Sequence, residues 1–244
     1  MNTLVIIPSR LSATRLPGKP LLKINGLSII SHVFRKAEEA NIGEVLVATE
    51  DQEIMDDVKK NGGQAILTKK LHKTGTDRIY EAYQEIESND IQYIINLQGD
   101  EPMIDIQDIK NLNNKTINKK SDIATLACEI TDEEILNNNI VKVITEEKLL
   151  KDNISKAKYF LRESSFDNIT NIYHHIGIYM YKVSTLEKFV NLKQTKNEIS
   201  QKLEQLRAID NNISIDVVLA RTSPIGVDTN EDYLEIKKLM EYKN

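Results

Sequence analysis

The chain has 244 residues, 40% hydrophobic and 28% charged, an ordinary globular composition with room for one large α/β domain or two small ones. Its net charge of −5, with 4 Phe, 9 Tyr and no Trp as stacking platforms, speaks against general nucleic-acid binding. The single cysteine, Cys128, excludes an internal disulfide and a four-cysteine zinc site and suits the cytoplasm, and no apolar run approaches the ~20 residues of a membrane span.

Thr3 to Pro8 is apolar and β-branched up to its proline, which predicts a buried first strand. A loop runs to Gly26. From Ser28, the residues Ile29, Ile30, Val33, Phe34 and Ala37 recur at helical spacing, and Gly43 separates this helix from a strand at Glu44 to Ala48. The alternation continues through a helix from Gln52 to Asn61, a Gly62-Gly63 turn, a strand from Gln64 to Thr68, a helix from Asp77 to Ile86 and a strand from Gln92 to Leu97. Such an order predicts an α/β fold, Rossmann-like, with a mostly parallel twisted sheet, helices on both faces and a ligand beyond the carboxyl ends of the strands.

Past residue 120 the pattern is less regular. Strands are predicted at Ile123 to Cys128, Ile140 to Thr145, Ile176 to Tyr181 and Ile213 to Leu219, with helices near Thr185 to Asn191 and Glu198 to Ile209. A last helix, Glu231 to Tyr242, follows Gly226-Val227-Asp228. No repeat, low-complexity tract or linker divides the chain, so residues 1–244 are expected to form a single domain. About 123–220 is read as an insertion that closes over the site and carries a subunit interface.

Charge is unevenly placed. Met1 to Ala37 has no acid but carries Arg10, Arg15, Lys19, Lys23, Arg35 and Lys36, leaving 26 cations against 37 acids elsewhere. An acidic chain thus opens with a positive field suited to a polyanion. Within it, Pro8 to Pro20 combines Arg10, Arg15 and Lys19 with hydroxyls, Gly18 and prolines that restrict the backbone. Forked guanidinium groups, an ammonium and exposed backbone N–H groups are what triphosphate oxygens need. The loop is not a Walker A motif, because Ala13 and Pro20 stand where Gly and Ser or Thr are required, and no Gly-x-Gly-x-x-Gly occurs. Its plain alternative is a solvated basic loop.

Gln98-Gly99-Asp100-Glu101-Pro102 follows an apolar strand, which puts Asp100 at the sheet edge where phosphates would lie. Asp100 can ligate magnesium, a hard cation that takes oxygen ligands, or simply form a Gly-Asp turn. Asp228 is a second candidate ligand, or the N-cap of the last helix. His174 and His175 are adjacent, so on a strand they point to opposite faces and cannot both serve one site. Four histidines and one cysteine give no zinc spacing, and no nucleophile elbow supports Ser-His-Asp chemistry.

Seven runs, in order and over nearly the whole chain, resemble the 3-deoxy-manno-octulosonate (Kdo) cytidylyltransferases. They are Pro8 with Arg10, Arg15 and Pro17-Gly18-Lys19-Pro20; His72 with Thr74-Gly75-Thr76-Asp77-Arg78; Gln98-Gly99-Asp100-Glu101-Pro102; Val141-Lys142-Val143; His175-Ile176-Gly177-Ile178-Tyr179; Leu203-Glu204-Gln205-Leu206-Arg207; and Gly226-Val227-Asp228-Thr229. The resemblance implies a cytoplasmic homodimer that converts CTP and Kdo to CMP-Kdo and pyrophosphate with magnesium (Mg2+), for lipopolysaccharide. It implies that Arg10, Arg15 and Lys19 bind the triphosphate, with Thr76 near the nucleotide. Asp100 and Asp228 would hold the metal and form the catalytic set with Lys19. Gln98, Arg162, His175, Tyr179, Glu204 and Gln205 would line the sugar-acid pocket.

The basic loop and the Asp100 run are shared with cytidylyltransferases for sialic acids. A sialic acid or amino-substituted Kdo therefore stays open as the acceptor, and so does a non-catalytic nucleotide-binding regulator. Some positions depart from the family pattern: Leu161 precedes Arg162 where Ser is usual, and residues 163–168 lack the usual proline and second arginine. Leu71 replaces an Asp, and Thr74 replaces a Ser.

Overall fold

The structure, a computed structural model, describes residues 2–12, 15–69, 72–86, 90–163 and 170–242; Ala13, Thr14, Leu71 and 164–168, named above, lie outside the described residues. The chain forms two compact units, Met1–Ile109 with Pro224–Asn244, and Lys110–Ser223.

In the first unit, β1 (Asn2–Ser9) is buried because Leu4, Val5, Ile6 and Ile7 are apolar on both faces, as a central parallel strand requires. A 3-10 turn at Lys19–Leu21 and a hairpin of β2 (Lys23–Ile24) and β3 (Leu27–Ser28) lead into α1 (Ile29–Ala40). Ser28 caps α1 by accepting from the Ser31 N–H, and Asn41, left-handed at φ 50, ends it. There follow β4 (Gly43–Thr49), α2 (Gln52–Lys60), β5 (Ala65–Leu67), α3 (Gly75–Gln84) and β6 (Ile91–Asn96). These strands pair in the order β5-β4-β1-β6, all parallel. The chain leaves β1 towards β4 and later returns to its other side with β6, so the order reverses at β1. The carboxyl ends there form a switch point.

Next, α4 (Ile106–Lys119) occupies a stretch for which no element was expected, its asparagine-rich surface masking Ile109, Leu112 and Thr116, which are buried at helical spacing.

Arg78 on α3 is a buried cation that donates to Thr68 Oγ1 at 2.7 Å and to Glu50 Oε2 at 2.7 Å. Replacing it with Ala takes the Arg78 guanidinium from the Glu50 carboxylate, which is 16% exposed. Arg78→Ala is expected to lower stability by about 3 kcal/mol in urea unfolding; a loss under ~1 kcal/mol would show the pair behaving as a surface one.

The second unit contains β7 (Ile123–Cys128), α5 (Asp132–Leu136), β8 (Lys142–Thr145), β9 (Ile154–Leu161), β10 (Ile172–Lys182), α6 (Val183–Val190), α7 (Lys196–Gln201), α8 (Leu206–Asp210) and β11 (Ile215–Leu219). The expected parallel pattern does not extend here. β7 and β11 pair in parallel, but β7–β10, β8–β10, β8–β9 and β9–β11 are antiparallel. For β8 and β9 the reason is connectivity: residues 146–153 alone join them, and so short a connection permits only antiparallel neighbours. Because β8 pairs with both β9 and β10, these five strands close on themselves. The helix expected from Glu198 to Ile209 is split into α7 and α8, since Lys202 turns left-handed at φ 54.

The chain ends in the first unit with α9 (Asn230–Glu241). Val227 and Ile236 pack with Ile24 and Ile29 in one apolar cluster, with Leu16, Leu22 and Met103 against it. This core fixes the segment before α9 against the loop after β1. Among the described residues no helix is long and apolar enough to cross a membrane.

Candidate active site

A cleft of about 370 Å³ opens in the first unit beyond the carboxyl ends of β1 and β6. Its walls include Arg10, Arg15 and Lys19 from the basic loop, Gln98 and Asp100 after β6, Thr74 and Gly75 at the start of α3, and Asp228. The loop is anchored where its backbone N–H groups find partners: Leu11 donates to Asp51 Oδ2 at 2.7 Å, and Gly18 donates to Leu11 O at 3.1 Å. Gly18 has φ 71, a left-handed conformation that favours glycine, and starts the turn carrying Lys19. Gly99 has a different task. A Cβ there would lie 3.0 Å from Pro8 O and 3.1 Å from Ile30 Cδ1, so its absence lets the turn press on β1 and brings Asp100 to the loop.

Three segments far apart in sequence meet at one ammonium. Lys19 Nζ donates to Asp100 Oδ2 at 2.7 Å, to Val227 O at 2.6 Å and to Asp228 Oδ1 at 3.2 Å. Arg15 Nη2 reaches Asp228 Oδ2 at 2.9 Å, and Val227 N donates to Asp100 O at 2.9 Å. Asp228 does not cap the last helix. Thr229 does so, in a capping box with Asp232, and this leaves the Asp228 carboxylate facing the cations. Burial works against the Lys19 ammonium, but Asp100 and Asp228 outweigh it and hold its pKa above the ordinary value.

Next to Asp100, the Glu101 Oε2 is sealed from solvent without a hydrogen-bond partner. Burial first, then the charges of Asp100 and Asp228, push its pKa well above the usual carboxylate range. Sequence reasoning gave Glu101 no role; its place in an apolar-then-acidic run was the available signal. Two carboxylates that converge on one cationic atom are oxygen donors of the kind a divalent hard cation takes, so Asp100 and Asp228 fit a magnesium site. Among the described residues no group of three or more His, Cys, Asp or Glu side chains is placed to hold a metal. A two-carboxylate site matches magnesium's habit of completing its shell with water and phosphate.

The first turn of α3 borders the cleft, where the positive end of a helix favours an anion. Thr74 caps it, accepting from Asp77 N at 3.1 Å. Thr76 is buried, and Thr74 and Gly75 form the wall at this point. His72, also on the wall, is held by Glu81, which accepts from Lys69 N as well.

In the second unit, His174 and His175 part as expected. His174 Nδ1 lies 2.9 Å from Glu134 Oε1, whereas His175 is buried with its Nε2 3.1 Å from Thr125 Oγ1 and 3.0 Å from the Tyr179 hydroxyl. Phe160 meets the His175 ring edge-on, with centroids 5.1 Å apart. Arg162 donates to Asn139 O at 3.0 Å, and its own carbonyl accepts from the buried Lys142 ammonium at 2.9 Å. Glu204 lies 3.5 Å from Arg207 Nη2, and Arg207 is locked by two hydrogen bonds to Glu198 and stacked over Phe189. Gln205 is buried at the start of α8.

Burial, and behind it the charges of His174 and Arg162, lower the His175 pKa to about 3. An unfolded chain titrates this ring near 6.5, so between those values the unfolded state holds the extra proton. The stability due to neutral His175 is complete above about pH 6.5 and is lost as pH falls. His175→Gln is expected to remove a slope of up to about 1.4 kcal/mol per pH unit from the acid side of the stability profile; an unchanged slope would contradict a ring held neutral.

An α/β fold with a cation-lined cleft at its switch point and two carboxylates facing the cations defines a nucleotidyltransferase. Residues 4–215 match the cytidylyltransferase family model. A 3-deoxy-manno-octulosonate cytidylyltransferase of Rhodopseudomonas palustris (strain BisB5) is 45% identical over 94% of each chain. One from Nitrobacter hamburgensis is 42% identical over 98% of this chain and 93% of its own. A solved structure of CMP:2-keto-3-deoxy-manno-octonic acid synthetase complexed with CTP superposes with a TM-score of 0.92 at 33% identity, covering all of both chains. The chain belongs to the cytidylyltransferase family, in its 3-deoxy-manno-octulosonate branch.

Proposed function

We propose that the chain transfers the cytidylyl group of CTP to the anomeric hydroxyl of Kdo, giving CMP-Kdo and pyrophosphate. The observation that carries this is the meeting of Lys19, Asp100 and Asp228 in a cleft that Arg10 and Arg15 of the same loop also line. Arg10, Arg15 and Lys19 neutralise the triphosphate, and the first turn of α3 adds its dipole. The acceptor hydroxyl loses its proton to water as its oxygen bonds to the α-phosphorus, the bond to the bridging oxygen breaks in line, and pyrophosphate leaves with its charge met by these cations. The protein's work is positioning and charge stabilisation.

Asp100 and Asp228 would hold magnesium, which when bound neutralises phosphate charge and lowers the pKa of the attacking hydroxyl. No side chain is assigned as an essential base. A ring with a pKa of about 3 is too weak a base at neutral pH for His175 to take that role. Gln98, Arg162, His175, Tyr179, Glu204 and Gln205 are assigned to the sugar acid, and Thr76 to the vicinity of the nucleotide. The whole chain acts as one cytoplasmic nucleotidyltransferase, with about 123–220 serving acceptor binding and homodimer contact, and its product feeds lipopolysaccharide synthesis.

Pyrophosphate release with each of four nucleoside triphosphates, against Kdo and N-acetylneuraminate, with and without EDTA, tests this reading. Release is expected with CTP and Kdo alone, and only without EDTA. Preference for N-acetylneuraminate would move the acceptor to the sialic acids, and CTP binding without turnover would favour a regulator.

A further inference from the structure

His175 and Tyr179 are four residues apart on β10, which in a regular strand would separate them by about 13 Å. Their rings are nevertheless 5.5 Å apart. The cause is a bulge: β10 pairs Ile176 with Leu126 and then Tyr179 with Thr125, so Gly177 and Ile178 have no opposite residue on β7. A bulge takes carbonyls out of the ladder, and the buried Thr125 hydroxyl lies 2.8 Å from Ile178 O and 3.1 Å from Ile176 O.

That contact settles a proton. Thr125 has one hydroxyl hydrogen, and both carbonyls can only accept, so the hydrogen goes to them. The same oxygen is 3.1 Å from His175 Nε2, where it must accept. This arrangement favours a proton on Nε2 of His175, with the Tyr179 oxygen, 3.0 Å from the same nitrogen, taking a share of that N–H. Nδ1 is left as an acceptor.

We propose that Thr125 is a positioning residue: by closing the bulge and accepting from Nε2 it fixes the His175 tautomer, so that Nδ1 accepts a hydrogen bond from a hydroxyl of the sugar acid. The last step rests on the acceptor role proposed for His175; tautomer control by Thr125 does not.

Nitrogen NMR of the full chain labelled in its histidine rings, with His175→Gln to assign the signal, reads the tautomer directly. The wild type is expected to show His175 as Nε2–H. In Thr125→Val, whose side chain has similar shape but no oxygen, the Tyr179 hydroxyl becomes the donor to Nε2 and the proton moves to Nδ1. Thr125→Ser keeps Nε2–H. In kinetics, Thr125→Val is expected to raise the KM for Kdo about tenfold, as for loss of one well-placed hydrogen bond, with the KM for CTP unchanged and Ser restoring the wild-type value. An Nδ1–H ring in the wild type overturns the proposal whether or not Thr125→Val folds, and so does a Thr125→Val protein that keeps Nε2–H. A tautomer that moves while the KM for Kdo does not would overturn the acceptor step and sustain tautomer control.

Discussion

Asp100→Asn is expected to lower turnover by ~10²–10³ or more, the range for loss of one transition-state stabiliser. The amide keeps the shape of the side chain but not its charge, so it neither attracts the divalent cation nor balances the Lys19 ammonium 2.7 Å away. The fold is expected to survive, because the link between this turn and the last segment is a backbone bond, Val227 N to Asp100 O at 2.9 Å. The side chain itself is also 30% exposed. Steady-state pyrophosphate release checks the rate and thermal unfolding checks the fold. Near-normal turnover in a folded variant would remove Asp100 from the metal site.

Lys19→Met should cost about as much by a different route. The ammonium, assigned above to the triphosphate, also holds Asp100, Asp228 and the Val227 carbonyl in one place. Loss of two or more charge-assisted interactions of this kind corresponds to a fall of roughly 10³ in kcat/KM for CTP. Lys19→Arg is not expected to rescue it, since a planar fork cannot address three converging acceptors as a rotating ammonium does. A loss smaller than about tenfold in Lys19→Met would show that the loop's other cations carry the triphosphate without it.

The parallel part of the first unit was legible in the sequence because its order is local: each strand is built on a short apolar run, each helix has a periodic face, and Gly43 and Gly62 mark the joints. Its predicted elements lie within two residues of those observed. The second unit was less legible because its pairing is set by partners distant in sequence. β9 carries Lys156 and Lys158 on its exposed side and reads as polar until β8 and β11 flank it. The break at Lys202 depends on one left-handed residue that is not a glycine.

At the site, residue chemistry and strand-end position were enough to single out Lys19 and Asp100, whereas Asp228 was an ambiguous candidate that joined them through the family resemblance. The structure adds that they meet, and that Thr229 rather than Asp228 caps α9. Glu101 and Thr125 were not legible as site residues. A glutamate after an aspartate and a threonine inside an apolar strand look ordinary until a missing partner or a bulge gives them a task.

The account depends most on Asp100 and Asp228 sharing one divalent cation with the triphosphate. A crystal structure with CTP and manganese, located by its anomalous scattering, tests this directly. The expected result is one ion within about 2.5 Å of a carboxylate oxygen from each aspartate and of a phosphate oxygen, with Lys19 turned to the phosphates. An ion bound to the triphosphate but touching neither aspartate, with Lys19 still bridging them, would contradict it.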